Sequence, residues 1–254
     1  LTAVADLIKS TGVLALDGTV TLAEVGNTNP FELKSVGALT TGAIAGTAGN
    51  TAENLTLDAG AAGAINVGAV TIVTNLLIDD ANGATFASVN LLGNFTVTDL
   101  TDATTLTFTG DSVIAGDLVA NKGNDDYNIA ILGDMTVTTA VAFENTGTLT
   151  IGNQTSDVST FTGGLVATAP SAISLAGTLT TGTTNTMTLG DGGTGITLSD
   201  STTITSGGAA AININGALAG ASVDDDLTIN SAGITTVNAA ITGIRNLVTN
   251  ATGT

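Results

Sequence analysis

Apolar and polar residues alternate along most of the chain in bursts of three to six residues, separated by Gly, Asn, Asp and Ser. In LTINSAGITTVNAAITG at 227–243, Leu227 and Ile229 alternate with Thr228 and Asn230. A period of two is that of a strand with one buried face. Helical spacing is confined to TAVADLIKS at 2–10, where Val4, Leu7 and Ile8 share one side. That stretch predicts a short N-terminal capping helix of barely two turns.

The bursts repeat. LGNFTVT at 92–98 returns as LGDMTVT at 132–138, LAGTLTT at 175–181 and INGALAG at 214–220. Each of these landmarks follows the last by about 40 residues. LDGTVTL at 16–22, VGALTTG at 36–42 and VGAVTIV at 67–73 have the same shape. A second register lies between them in NLTLDAG at 54–60, TLTFTG at 105–110, TLTIGN at 148–153 and DLTINSAG at 226–233. The implied period is about 20 residues, within the range of solenoid repeats.

Strands this short are stable when each coil stacks on the last, about 4.8 Å along the axis. The expected fold is therefore all-β, a parallel β-helix (β-solenoid) of about twelve coils at that period. Residues 1–15 form an N-terminal cap or linker, and 16–254 form one solenoid domain. Leu, Ile, Val and Ala stack inward, where aromatic rings would be hard to repeat coil after coil. Thr, 49 of 254 residues, faces outward, since its β-branch suits a strand and its hydroxyl suits water. Pro30 and Pro170 fall in loops, because proline removes a ladder donor.

The run AGAAGAINVGAVTIVTNLLI at 59–78 is long enough to span a bilayer. Gly and Asn interrupt it at strand-like intervals, so it reads as consecutive buried strands, with no membrane span expected. Six Phe and one Tyr cannot supply the aromatic girdles of a membrane barrel.

Composition narrows the chemistry. The chain has no Cys, no His and no Trp, and its four basic residues are Lys9, Lys34, Lys122 and Arg245. Histidine-based acid–base catalysis and the main zinc ligands are excluded. A net charge of −18 disfavours nucleic acid and favours cations. The first residue is Leu, with no basic n-region and apolar h-region after it. A processed, secreted chain or a piece of a longer one is expected.

DLTINSAGITTVNAAITGIRNLVTNATGT at 226–254 and NLTLDAGAAGAINVGAVTI at 54–72 resemble the strand repeats of long bacterial surface proteins of the filamentous haemagglutinin and autotransporter-adhesin type. The resemblance spans most of the chain from about residue 16 and lies in repeat style. It implies a right-handed parallel β-helix, secreted to the extracellular cell surface of a bacterium, with cell-surface glycans as candidate partners. The family's repeats have no catalytic motif, so no site carries over.

Three acidic clusters are candidate Ca²⁺ sites: Asp79 with Asp80; Asn124, Asp125 and Asp126; and Asp224, Asp225 and Asp226. Calcium takes six to eight hard oxygens, which loops leaving a solenoid can supply. NKGNDDYN at 121–128, the longest polar insertion and home of the only Tyr, is the best of the three. DGGTGITLSD at 191–200 approaches a calcium nonapeptide, but Thr197 stands at its Asp position, so it reads as a turn. The Asn-X-Thr acceptors at 54, 94, 153 and 250 fit the frequency of Asn and Thr in the chain.

Threonine pairs at 19/21, 96/98, 107/109, 136/138, 148/150 and 186/188 would form an ice-binding grid if they shared one face in one register. Their irregular spacing argues against that. Catalysis is not expected. A β-helix lyase needs a basic residue beside Ca²⁺, and Arg245 has no dense carboxylate group near it in sequence. A glycosidase needs two carboxylates across a groove, and nothing marks a pair.

The function expected is structural or adhesive. NLVTNATGT at 246–254 carries no polar cap helix, so the chain is expected to stack head to tail on copies of itself as a fibre, matrix or surface layer. The alternatives are a segment of a giant adhesin that does not self-assemble, an ice- or calcium-binding solenoid, and a carbohydrate-active β-helix.

Overall fold

A computed structural model of the chain describes residues 2–3, 7–23, 30–47, 53–120 and 126–251. The chain divides into two compact units, Leu1–Tyr127 and Asn128–Thr254. Each is a stack of three-faced coils made only of parallel strands, about ten turns in all, with no helix among the described residues.

In the N-terminal unit the first face runs through Leu14–Leu16, Leu39–Thr41, 65–67, 84–86 and Thr105–Phe108. The second runs through Thr2–Ala3, Val20–Leu22, Ile44–Ala45, 70–73, 88–91 and Ser112–Ile114. The third runs from Leu7–Lys9 through Phe31–Lys34, Asn54–Asp58, Asn75–Ile78 and Phe95–Val97 to Leu118–Ala120. The apolar run at 59–78 is indeed two strands, Ile65–Val73 and Asn75–Ile78.

In the C-terminal unit the first face runs through Asn128–Ile131, Thr148–Ile151, 172–175, 195–198, Ala217–Gly220 and Ile241–Thr242. The second runs through Met135–Val137, Val158–Phe161, 177–181, 202–206, Asp226–Ser231 and Asn246–Ala251. The third runs through Val141–Ala142, Leu165–Ala167, Met187–Leu189, Ile212–Ile214 and Thr235–Val237.

Three expectations are corrected. Residues 2–10 form no capping helix: Thr2–Ala3 and Leu7–Lys9 are strands. Leu7–Lys9 pairs with Glu32–Lys34, and the Ser10 amide donates to the Lys34 carbonyl at 2.9 Å. A two-turn helix is marginal in water, whereas an open strand edge supplies ladder partners at once.

The coils are also longer and less regular than the repeated text implies. Leu14 pairs with Leu39, Leu39 with Ile65, Ile65 with Ala84 and Ala84 with Leu106, so the step along the chain changes from one coil to the next. Corners absorb the differences, because loop length costs little when the strands on either side pair.

The aromatic residues lie inside. All six Phe and Tyr127 are buried. Phe86 and Phe108 from the first face and Phe95 from the third meet in one cluster, with centroids 5.2 to 6.1 Å apart. Phe143 and Phe161 make an edge-to-face pair at 5.9 Å. Phe86 and Phe108 are ladder partners that stack, at 6.1 Å, and Phe95 from the third face meets both edge-on, so rings from two faces fill the coil axis.

Outside the core, amides tie coils together. The Asn75 side chain donates to Asn54 Oδ1 at 2.6 Å, the Asn94 amide to Asn75 Oδ1 at 2.8 Å, and the Asp117 amide to Asn94 Oδ1 at 2.9 Å. Pro30 and Pro170 sit outside the strands.

Candidate functional site

Several carboxylates at or beside corners have tasks of their own. Asp225 is buried, and its Oδ2 accepts the Ser222 amide at 2.7 Å. Asp157 does the same for Asn153 and Gln154, at 2.8 and 3.0 Å. Asp191 Oδ1 accepts the Gly193 and Thr194 amides and the Thr194 hydroxyl, which hold its carboxyl below the usual range. These carboxylates close turns by satisfying amides that no ladder reaches. Residues 191–194 form the turn read from the sequence, and a strand follows from Gly195.

Asp226 faces outward. Its carboxylate accepts Arg245 Nε at 3.0 Å, Nη2 at 2.7 Å and Asn246 Nδ2 at 2.8 Å. The Arg245 guanidinium first, then Asn246, holds the Asp226 carboxyl below its ordinary value. Asp224 stands 3.9 Å from Arg245 Nη1 and is exposed. So Asp224 and Asp226 meet at Arg245 while Asp225 turns to Ser222, and the three carboxylates, adjacent in sequence, are divided between two tasks.

Asn124 and Asp125 lie outside the described residues. The Asp126 amide donates to Asp102 Oδ1 at 2.8 Å, and Tyr127 turns into the core. Asp79 is exposed, and its amide continues the third-face ladder to the Leu57 carbonyl at 3.0 Å. Among the described residues no three carboxylates are grouped as a metal centre.

Asp80 differs from its neighbours. With Asp99, Asp102, Ala61 and Thr101 it lines a pocket of about 260 Å³. Burial pushes its carboxyl up, and Asp58 and Asp79 push it further, against the Ala61 amide and Lys34, which lower it. Lys34 is itself ion-paired with Asp58 and sits 3.5 Å from Glu32. The hydrogen bond to Asp58 raises the Lys34 amine.

A carboxyl raised on folding binds its proton more tightly in the folded than in the unfolded chain. The associated stability is fully present below the ordinary carboxylate range and is lost as pH rises through the raised value. Asp80→Asn keeps an acceptor for the Ala61 amide and removes the charge. It should melt higher than the wild type at about pH 7, with the gap closing at about pH 4. Equal melting temperatures at neutral pH would contradict the burial of that charge.

The threonines of the six TxT pairs do not share a face, and Thr41, Thr56, Thr181, Thr194 and Thr202 are buried against the expectation that threonine faces outward. Thr21, Thr96 and Thr107 stand on the second, third and first faces of the N-terminal unit. Thr136, Thr148 and Thr188 stand on the second, first and third faces of the C-terminal unit. A different set comes into register. On the second face of the C-terminal unit, Thr136, Thr160, Thr180, Thr205, Asn230 and Asn250 form one outward column. Val158, Thr178, Thr203, Thr228 and Val248 form the next. The signal was present in TLTT at 178–181, TTIT at 202–205 and LTIN at 227–230, but unequal corners hide its alignment.

A second pocket, of about 270 Å³, lies on the third face of the N-terminal unit, where Asn54, Thr56, Asn75 and Thr96 surround Leu77. The last described coil has only one neighbour among the described residues. Its Val237 is 40% exposed and Leu247 50%, whereas their ladder partners Ile214 and Leu227 are fully buried. No helix among the described residues is long and apolar enough to cross a membrane. No family model matches the chain, and neither does a curated protein or a solved structure.

Proposed function

We propose that the protein is a structural or adhesive solenoid of the bacterial cell surface that assembles by adding coils to its ends. The coil-on-coil stacking within each unit carries this reading: each coil covers the inward residues of the one before it, as the coil of Val237 and Leu247 covers Ile214 and Leu227. A coil edge with unpaired amides and carbonyls templates another strand, and parallel stacking in one direction gives two unlike edges. The operation that relates coils within each unit would equally set one copy on another. Such a heterologous contact repeats without closing.

The net charge of −18 would keep the sides of neighbouring assemblies apart, with divalent cations such as Ca²⁺ as the natural bridge. Cell-surface glycans are the partner class for the sides, and the Asn- and Thr-lined pocket around Leu77 is their candidate position.

Light scattering of the purified chain tests the end contact. The wild type should grow in mass with concentration, and Leu247→Asp, a change at an exposed position, should hold it at one chain. A wild type that stays at one chain throughout overturns head-to-tail assembly.

A further inference from the structure

We propose that the second face of the C-terminal unit is an ice-binding face. The proposal is independent of coil stacking, because the two outward columns lie on the side of the coils rather than on their edge. In register, Thr178 and Thr180 lie beside Thr203 and Thr205, and these beside Thr228 and Asn230. Thr160 and Thr136 extend the column of Thr180 and Thr205 by two coils.

The ladder sets the spacing of this grid in both directions. Neighbouring coils are about 4.8 Å apart, and alternate residues of one strand about 6.7 Å apart. Both repeats are close to those of oxygen atoms on the surfaces of hexagonal ice. A protein face can hold water at such positions only if the face itself is rigid. Here the residues between the outward ones, Leu179, Ile204, Leu227 and Ile229, are buried in the core. Threonine adds its own stiffness, since the β-branch restricts χ1.

The chemistry of the grid also suits ordered water. Within the described residues, no hydrogen bond engages the hydroxyls of Thr136, Thr160, Thr178, Thr180, Thr203, Thr205 or Thr228, which leaves them to solvent. Each hydroxyl sits beside its methyl group, so each position offers water both an anchor and an apolar wall. A charge would orient the water around itself and break the lattice. The charged groups lie at the margins and are engaged there: Asp134 accepts the Val158 amide at 2.8 Å, and Asp226 holds Arg245. No aromatic ring lies on the face for a sugar to stack on, since all six Phe and the Tyr are buried.

Adsorption would sum many weak contacts over the grid, so one bulky intrusion should disrupt the whole match. The test is freezing hysteresis and ice-recrystallisation inhibition of the full chain. The wild type should separate its melting and freezing points beyond the colligative effect. Thr205→Tyr, at the middle of the grid, should lose that gap severalfold. Thr107→Tyr, outward on the first face of the N-terminal unit, should keep it. Tyrosine is a good strand residue, and a circular-dichroism melt of each variant shows that the fold persists. As a second readout, fluorescently labelled wild type should coat a growing ice crystal, and labelled Thr205→Tyr should not. A wild type without hysteresis overturns the proposal, as does equal loss in Thr205→Tyr and Thr107→Tyr. So does a grid variant that changes self-association and leaves ice growth untouched.

Discussion

Phe95→Ala should cost the N-terminal unit about 3–5 kcal/mol, the range for removing a buried ring from a core that cannot collapse around the gap. Phe95 is fully buried, 5.6 Å from Phe86 and 5.2 Å from Phe108, with both contacts edge-to-face. The three rings come from two faces of successive coils and meet on the axis. Ladder hydrogen bonds fix every strand around them, so the backbone cannot close the void. Total stability of an ordinary domain is about 5–15 kcal/mol, so the loss is a large share of it. Urea unfolding followed by far-ultraviolet circular dichroism measures it. Phe95→Leu keeps most of the volume and should lose less than half as much. A Phe95→Ala midpoint indistinguishable from the wild type would mean that the rings do not form the core.

The second large effect is at a corner. Gly177 has φ of +73°, and a Cβ there would lie 2.3 Å from the Asp157 carbonyl oxygen and 2.7 Å from that of Gln154. Both are backbone atoms, and the Asp157 carbonyl is already held by the Thr178 amide at 2.7 Å. Gly177→Ala therefore combines left-handed strain, about 1–2 kcal/mol for an L residue, with a clash that no side chain can relieve. Gly18 separates the two effects. It has φ of +88°, but nothing lies within 4 Å of its Cβ position. Gly18→Ala should lose the strain alone, and Gly177→Ala clearly more, in parallel melts. Equal losses would mean that the coils at Gly177 are not in such close contact.

The architecture was legible because a period of two is hard to mistake. The alternation of Leu227, Ile229 and Ser231 with Thr228 and Asn230 appears in the structure as alternating buried and half-exposed positions. The coil length was not legible, for a physical reason. LGNFTVT at 92–98 lies on a third face and LGDMTVT at 132–138 on a second, while TLTFTG and TLTIGN lie on first faces. Every face demands the same strand-and-corner text, so the text repeats without marking the coil. The N-terminal helix failed because local periodicity at Val4, Leu7 and Ile8 competes with a neighbouring edge that only the fold supplies.

The candidate sites show a similar division. Carboxylates adjacent in sequence alternate sides of a strand or enter a turn. Hence Asp225 turns inward to Ser222 while Asp226 turns outward to Arg245. Proximity along the chain therefore says little about convergence. The group that does share a pocket, Asp80, Asp99 and Asp102, comes from successive coils. The threonine columns were hidden in the same way. Thr160, Thr180, Thr205 and Asn230 follow one another at unequal intervals, so only the pairing reveals the alignment.

Register decides all of this: the ring cluster, the threonine grid and the exposed edge. The chain has no cysteine, so an introduced pair reports register without interference. Thr180 and Thr205 are ladder partners, with an expected Cα separation of about 4.8 Å. That lies within the range of about 4.4–6.8 Å that a disulfide accepts. The measurement is oxidation of the Thr180→Cys/Thr205→Cys double variant, read as a gel shift and an intact mass, beside Thr180→Cys/Thr203→Cys. Rapid, near-complete closure of the 180/205 pair is the predicted outcome. A slip of two residues keeps the outward faces outward and would favour the 180/203 pair, and that result would contradict the coil register.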